Sequence, residues 1–192
     1  MTPADFAREI VIPTLEDFRA DRTSRRWAYL SAIVVYHLRD YLAEALATLT
    51  GEPKVDRRAV QAELARVDEA VRAALPSPEA FDVVDAVAIG SKHALTRSSR
   101  GVTFAAGSDW ERPPAFADVM ICDLSILDDE TGGVKIPHGD VSFDVYDAVQ
   151  STFLAFLAAF PTQLVGCSFD GPVAICCVGC RSGSRLFTFT LC

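Results

Sequence analysis

The sequence predicts a mainly α protein: a four- or five-helix bundle with a small β-hairpin inserted before its last long helix. Three observations predict it. Apolar residues recur every three or four positions through most of residues 2–160. Helix-start pairs such as Thr2-Pro3 and Ser77-Pro78 precede periodic stretches, and Gly51 and Pro161 follow two of them. Residues that favour strands gather between 102 and 136, and again in the closing segment Arg185 to Cys192, which alternates as one short strand would.

Thr2 is a good N-cap and Pro3 a good first helical residue, and the helix they open is expected to stop near Pro13, with a second short helix running through Phe18. Thr23 and Ser24 then cap a long helix from Ser24 to Thr50, whose expected apolar stripe is Trp27, Leu30, Val34, Leu38, Tyr41 and Ala45. A third helix spans Asp56 to Leu75 on the stripe Val60, Leu64, Val67, Val71 and Leu75. Pro78 opens a fourth, expected to reach Thr96. Val102–Ala106 and Ala117–Leu127 read as strands separated by a loop at 107–114, with Val134–Ile136 as a returning partner that Pro137 and Gly139 end. Ser142 is expected to cap the last helix, Phe143–Phe160.

A length of 192 residues, half of them hydrophobic, suits one domain with a substantial core. Residues 1–160 form the expected bundle domain and 161–192 a cysteine-rich tail. With 26 acids against 18 Lys and Arg, the formal charge is −8, which works against broad nucleic-acid binding because phosphate recognition relies on clustered cations. Arg22, Arg25 and Arg26 are close in sequence but read as a solvated helix start. The opening residues lack a basic segment followed by an apolar one, and no run is long and apolar enough to span a bilayer, so a cytoplasmic location without membrane contact is expected.

The histidines are where chemistry is sought, since imidazole titrates near neutrality and a neighbouring carboxylate tunes it. At about 100° per residue, Arg26, His37, Asp40 and Glu44 share a narrow arc at the edge of the long helix's stripe. Asp82, Asp85, Lys92 and His93 likewise share about one third of the next helix but one. Antiparallel packing of these helices would bring His37, Asp40, Asp85, Lys92 and His93 into one polar cluster, a candidate for acid–base catalysis or a two-His, two-carboxylate metal site. The competing reading has each histidine as an ordinary hydrogen-bonded helix-edge residue, and no His-Glu-x-x-His spacing favours the metal. His138 reads as a loop residue.

A helical body with Tyr36-His37-x-x-Asp40 in one helix and Asp82-x-x-Asp85-x6-Lys92-His93 in another resembles a group of uncharacterised bacterial helical proteins and, more distantly, HEPN-type helical domains, over residues 10–160. The ribonucleases of that group carry Arg, four to six residues, then His; Arg26 and His37 are separated by ten. The resemblance therefore implies a helical fold and a non-nucleolytic member, and no catalytic residue is carried over.

Cys167, Cys176, Cys177, Cys180 and Cys192 crowd the tail, and Cys122 lies in the body. Cys177-x-x-Cys180 lacks the second pair that a structural zinc site needs, so free thiols are expected; the alternative is zinc-dependent folding of the tail, with Cys167 and Cys192 completing four ligands. The composition leaves open an irregular native segment or a tail made by read-through or a shifted frame. Phosphate-loop, dinucleotide and nucleophile-elbow signatures are absent, and no cofactor is implied. The expected function is a non-catalytic binding or regulatory module that pairs with itself or with a protein partner; the alternative is a hydrolase or nuclease built on His37 and His93.

Overall fold

A computed structural model describes residues 1–48, 57–91, 95–97, 103–105, 109–114, 132–138 and 141–170. The expected mainly α architecture is present. The helices are α1 (Pro3–Phe6), a π segment (Ala7–Val11), α2 (Ile12–Ala20), α3 (Arg25–Thr48), α4 (Arg57–Ala74), α5 (Glu79–Gly90) and α6 (Val145–Ala159). Two small antiparallel sheets accompany them. Strands β1 (Leu95–Arg97) and β2 (Thr103–Ala105) pair with each other, and β3 (Trp110–Arg112), β4 (Gly133–His138) and β5 (Val141–Asp144) form a second sheet in that order, ahead of α6.

Thr2 caps the first turn as expected, its hydroxyl accepting from the Asp5 amide at 3.1 Å while Asp5 Oδ2 accepts from the Thr2 amide at 3.2 Å. That capping holds the exposed Asp5 carboxyl below its ordinary pKa. The helix does not stop at Pro13. Its ladder widens to π geometry over Ala7–Val11, just ahead of the residue that has no N–H, and then resumes. The Thr14 hydroxyl donates to the Ile10 carbonyl at 2.6 Å, occupying an oxygen in the disturbed turn.

Helix α3 is the hub, touching α1, α2, α4, α5 and α6. Its buried face is Ala28, Ser31, Ala32, Val35, Leu38 and Leu42, turned about a quarter of the circumference from the expected stripe. The small residues explain the offset. Ala28, Ser31 and Ala32 line the side that meets its neighbours, while Trp27, Val34 and Tyr41 pack at the flank and Leu30 is partly buried. Helix α4 keeps its expected stripe, with Val67 and Val71 fully buried and Val60 and Leu64 packed alongside. Phe18, Phe81, Phe153 and Phe156 are the largest wholly buried side chains and tie α2, α5 and α6 into one core.

Helix α5 ends at Gly90 rather than Thr96, because Leu95–Arg97 pairs with Thr103–Ala105. The expected loop at 107–114 contains β3, closed by Pro113 and Pro114. Strand β4 continues through Pro137 to His138. It can, because β3 reaches only Gly133, Val134 and Lys135, so among the described residues Pro137 has a partner on the β5 side alone. Ser142 lies within β5, and Asp144 caps α6 instead, its Oδ1 accepting from the Tyr146 amide at 2.9 Å and the Asp147 amide at 3.3 Å. Helix α6 accordingly runs Val145–Ala159, not Phe143–Phe160.

Residues 161–170 fold back onto the bundle. Leu164 and Phe169 are buried, Phe169 meets Phe153 edge-on at 5.9 Å, and Arg19 donates to the Asp170 carbonyl at 2.8 Å. The expected strand at Ala117–Leu127 and the cysteines at 122, 176, 177, 180 and 192 lie outside the described residues.

Candidate functional site

Two polar groupings and one helix face emerge once the elements are placed. The first lies on α3. His37 Nδ1 stands 3.0 Å from Asp40 Oδ2, one turn away on the same helix, and both side chains are partly exposed, at 37% and 46%. Arg39 Nε lies 3.5 Å from the other Asp40 oxygen. The pair has the arrangement in which a carboxylate fixes an imidazole through one ring nitrogen and leaves the other facing outward.

Of the remaining predicted site residues, Asp85 projects from α5 toward α3, where the Tyr36 hydroxyl bonds to it. Burial, with Asp85 beside it, pushes the Tyr36 phenol above its ordinary range, while Arg39 partly opposes the rise. Asp85 therefore meets the residue before His37 and not His37 itself. Lys92 and His93 lie outside the described residues. Asp82, expected to join the cluster, is engaged by Arg72 of α4 at 2.7 Å.

The second grouping centres on Asp144, whose side chain is only 3% exposed. Lys135 Nζ approaches Oδ2 at 2.9 Å, Arg22 approaches Oδ1 at 3.2 Å, and Arg112 stands at 3.7 Å. Asp147, one turn into α6, takes a second bond from Arg22 at 2.8 Å. Burial and the charge of Asp144 raise the pKa of Asp147, with Arg22 and Lys135 opposing. Burial works against the charge of Arg22, yet Asp144 and Asp147 together raise its pKa. Two glycines admit this arrangement. A Cβ on Gly133 would lie 2.3 Å from Asp144 Oδ2, and Gly132, at φ +64°, would place one 2.3 Å from the Arg112 carbonyl. Beside it, Arg25 Nε pairs with the buried Asp109 at 2.8 Å, and Tyr29 donates to Asp109 at 3.0 Å. Burial, with Asp109 adding, pushes Tyr29 up to about 12.

Sequence reasoning missed this grouping. The only local signal was Asp144-x-x-Asp147 at a helix start; Arg22, Arg112 and Lys135 arrive from distant segments. Its three cations face two carboxylates, of which Asp144 also accepts hydrogen bonds from the α6 backbone. It joins the α2–α3 connection, α6 and the sheet, which is structural work.

The helix face is the outer arc of α3. Arg26, Leu30, Ile33, His37, Asp40 and Glu44 fall within about 80° of one another, opposite the buried face. Arg26 and Glu44 are exposed, and Leu30 and Ile33 are partly buried. Among the described residues, no three His, Cys, Asp or Glu side chains converge to hold a metal, and no helix is long and apolar enough to cross a membrane. Comparison with protein-family models, curated proteins and solved structures returns no match.

Proposed function

We infer that this chain is a non-catalytic binding or regulatory module that docks a protein partner along the outer arc of α3. The observation that supports it is the placing of two partly exposed aliphatic side chains, Leu30 and Ile33, on the face of the central helix opposite its buried one. Isolated apolar residues on a surface are ordinary, but two at helical spacing, flanked by charge at both ends, match the way amphipathic helices present anchors. The part-buried ionic groups of the seams fit this reading, because Arg22, Arg39 and Arg72 each hold an aspartate of another element. The distant HEPN-type likeness belongs to the same reading, as a member without the nucleolytic Arg–His spacing. Size-exclusion chromatography with light scattering, and capture from lysate, test it with Leu30→Glu and Ile33→Glu. Association that these substitutions abolish supports the reading. A chain that is strictly monomeric and captures nothing, with or without them, overturns it.

A second reading is a hydrolase or nuclease that uses His37 with His93, and the Asp40-oriented imidazole favours it. It requires His37→Ala and His93→Ala each to remove an activity found in hydrolase and nuclease screens. An activity indifferent to both would sink it.

A further inference from the structure

We propose that α1, the π segment, α2 and α6 form a peptide-docking seam whose resting occupant is this chain's own strap, residues 161–170. The ligand that competes for it is a peptide with an aliphatic side chain and, five positions later, an aromatic one. The seam is separate from the outer arc of α3, and the inference does not rest on the reading of that arc.

The strap lies on the helices as a bound peptide would. Of its ten residues only Leu164 and Phe169 are buried, Gln163 and Cys167 are half-buried, and the other six are exposed. Phe169 meets the edge of Phe153 of α6, which is wholly buried beneath it. Among the described residues three hydrogen bonds tie the strap to the helices, and each ends on a main-chain carbonyl. Arg8 donates to the Val165 carbonyl at 3.3 Å, Arg19 to the Asp170 carbonyl at 2.8 Å, and the Cys167 thiol to the Ala4 carbonyl at 3.6 Å. Bonds to carbonyls read the path of a chain and leave specificity to the side chains that fill the pockets. Leu164 and Phe169 are those side chains.

The seam is built to outlast its occupant. Arg8 also pairs with Asp5, one turn back, at 2.7 Å, which holds its guanidinium in place whether or not Val165 is there. The strap is held less firmly. Its bonds to Arg8 and Arg19 are exposed to water, and Gly166, at φ +74°, turns the chain between the two anchors. A segment with two buried side chains and water-exposed bonds opens at a lower free energy than the helices it covers. As a tethered ligand it nevertheless competes at the millimolar effective concentration of a short linker, so a free peptide binds well only where the strap is weakened.

The test uses the full chain and a fluorescein-labelled decapeptide with the sequence of residues 161–170. Leu164→Ser combined with Phe169→Ser removes both anchors of the strap and leaves the seam intact. Fluorescence anisotropy should show saturable binding of the peptide to this double variant and binding at least about tenfold weaker to wild type. A peptide with serine at both anchor positions should not bind. Adding Arg19→Ala to the double variant should weaken binding about fivefold, as one donor to the peptide's carbonyl is lost. Wild type and double variant that bind alike, a folded double variant that binds nothing, or two peptides that bind alike each overturn the proposal. Circular dichroism shows whether the double variant is folded. If it is not, native-state hydrogen exchange of the wild-type chain decides. The Leu164 and Cys167 amides, which donate to the Phe160 and Leu164 carbonyls at 3.0 and 3.1 Å, should exchange at rates insensitive to low urea, through opening of the strap alone. Exchange that rises with urea as steeply as that of the α6 core amides would mean that the strap leaves only when the whole chain unfolds, and the proposal falls.

Discussion

Replacing Asp144 tests whether the charged group at the start of α6 holds the sheet to the bundle. The carboxylate does two jobs that different substitutions separate. It compensates Lys135 and Arg22 at 2.9 and 3.2 Å, and it caps two backbone amides of α6. Asp144→Asn keeps a capping oxygen and loses the charge. Breaking a buried ion pair by removing one partner costs about 3–5 kcal/mol. The lower end applies here, because the cations are 12% to 20% exposed and Arg22 keeps Asp147. About 3 kcal/mol is therefore expected for Asn. Asp144→Ala forfeits the cap as well, adding about 1 kcal/mol. Urea unfolding followed at 222 nm reads both differences, provided the slope with denaturant is unchanged. An Asn variant within about 1 kcal/mol of wild type would refute the compensation argument; Ala and Asn variants of equal stability would refute the cap.

Asp147 behaves oppositely. Its folded pKa lies above the ordinary 3.8, so the folded state holds its proton more tightly, and its contribution to stability falls as pH rises from 3.8 through the folded value. Asp147→Asn should be at least as stable as wild type at pH 7, with the difference vanishing below pH 3.8; a large loss at pH 7 would contradict the burial argument. Gly132→Ala must adopt φ +64° and meet the Arg112 carbonyl, so chemical denaturation should show a loss of about 2 kcal/mol or more. Spectrophotometric titration should find Tyr29, Tyr36 and Tyr146 still protonated past pH 10, and Tyr29→Phe should remove a phenol that ionises near 12.

Features that depend on neighbouring residues were legible in the sequence. The Thr2 cap, the stripe of α4 and the existence of a long third helix follow from spacing and from side-chain hydrogen bonding within one turn. What was misread depended on distant partners. Pro13 should end a helix, but the packing of Phe6, Val11, Leu15 and Phe18 against the core favours a widened turn over a break. The stripe of α3 was assigned to its large residues, whereas close contact on several sides selected Ala28, Ser31 and Ala32. Periodicity also joined Gly90 to Thr96 as one helix, although three residues of that stretch pair across a sheet. At the candidate site, His37 and Asp40 were legible as an arc of one helix. The Tyr36–Asp85 contact between helices was not, because it needs the actual crossing of α3 and α5.

The same construction recurs at three seams and says why arginine stands there. Arg22 lies over the Tyr146 ring at 4.4 Å and holds Asp144 and Asp147; Arg39 lies over Tyr36 at 4.2 Å and holds Asp68; Arg72 lies over Phe81 at 4.7 Å and holds Asp82. Each guanidinium offers a flat face to an aromatic ring and its edge to a carboxylate, which a lysine ammonium cannot do at once. Each also bridges two elements, so it fixes which helices are neighbours as well as joining them. Arg26, over Trp27 at 5.0 Å, has the ring contact within a single helix and, among the described residues, no such bridge. Substitution by Lys should therefore separate the two cases. Arg39→Lys and Arg72→Lys are expected to lose about 1 kcal/mol each as stacking and fork geometry go. Arg26→Lys should lie within about 0.5 kcal/mol of wild type. Equal losses at all three positions would mean that contact with the ring alone sets the stability, and that the aspartates merely accompany it.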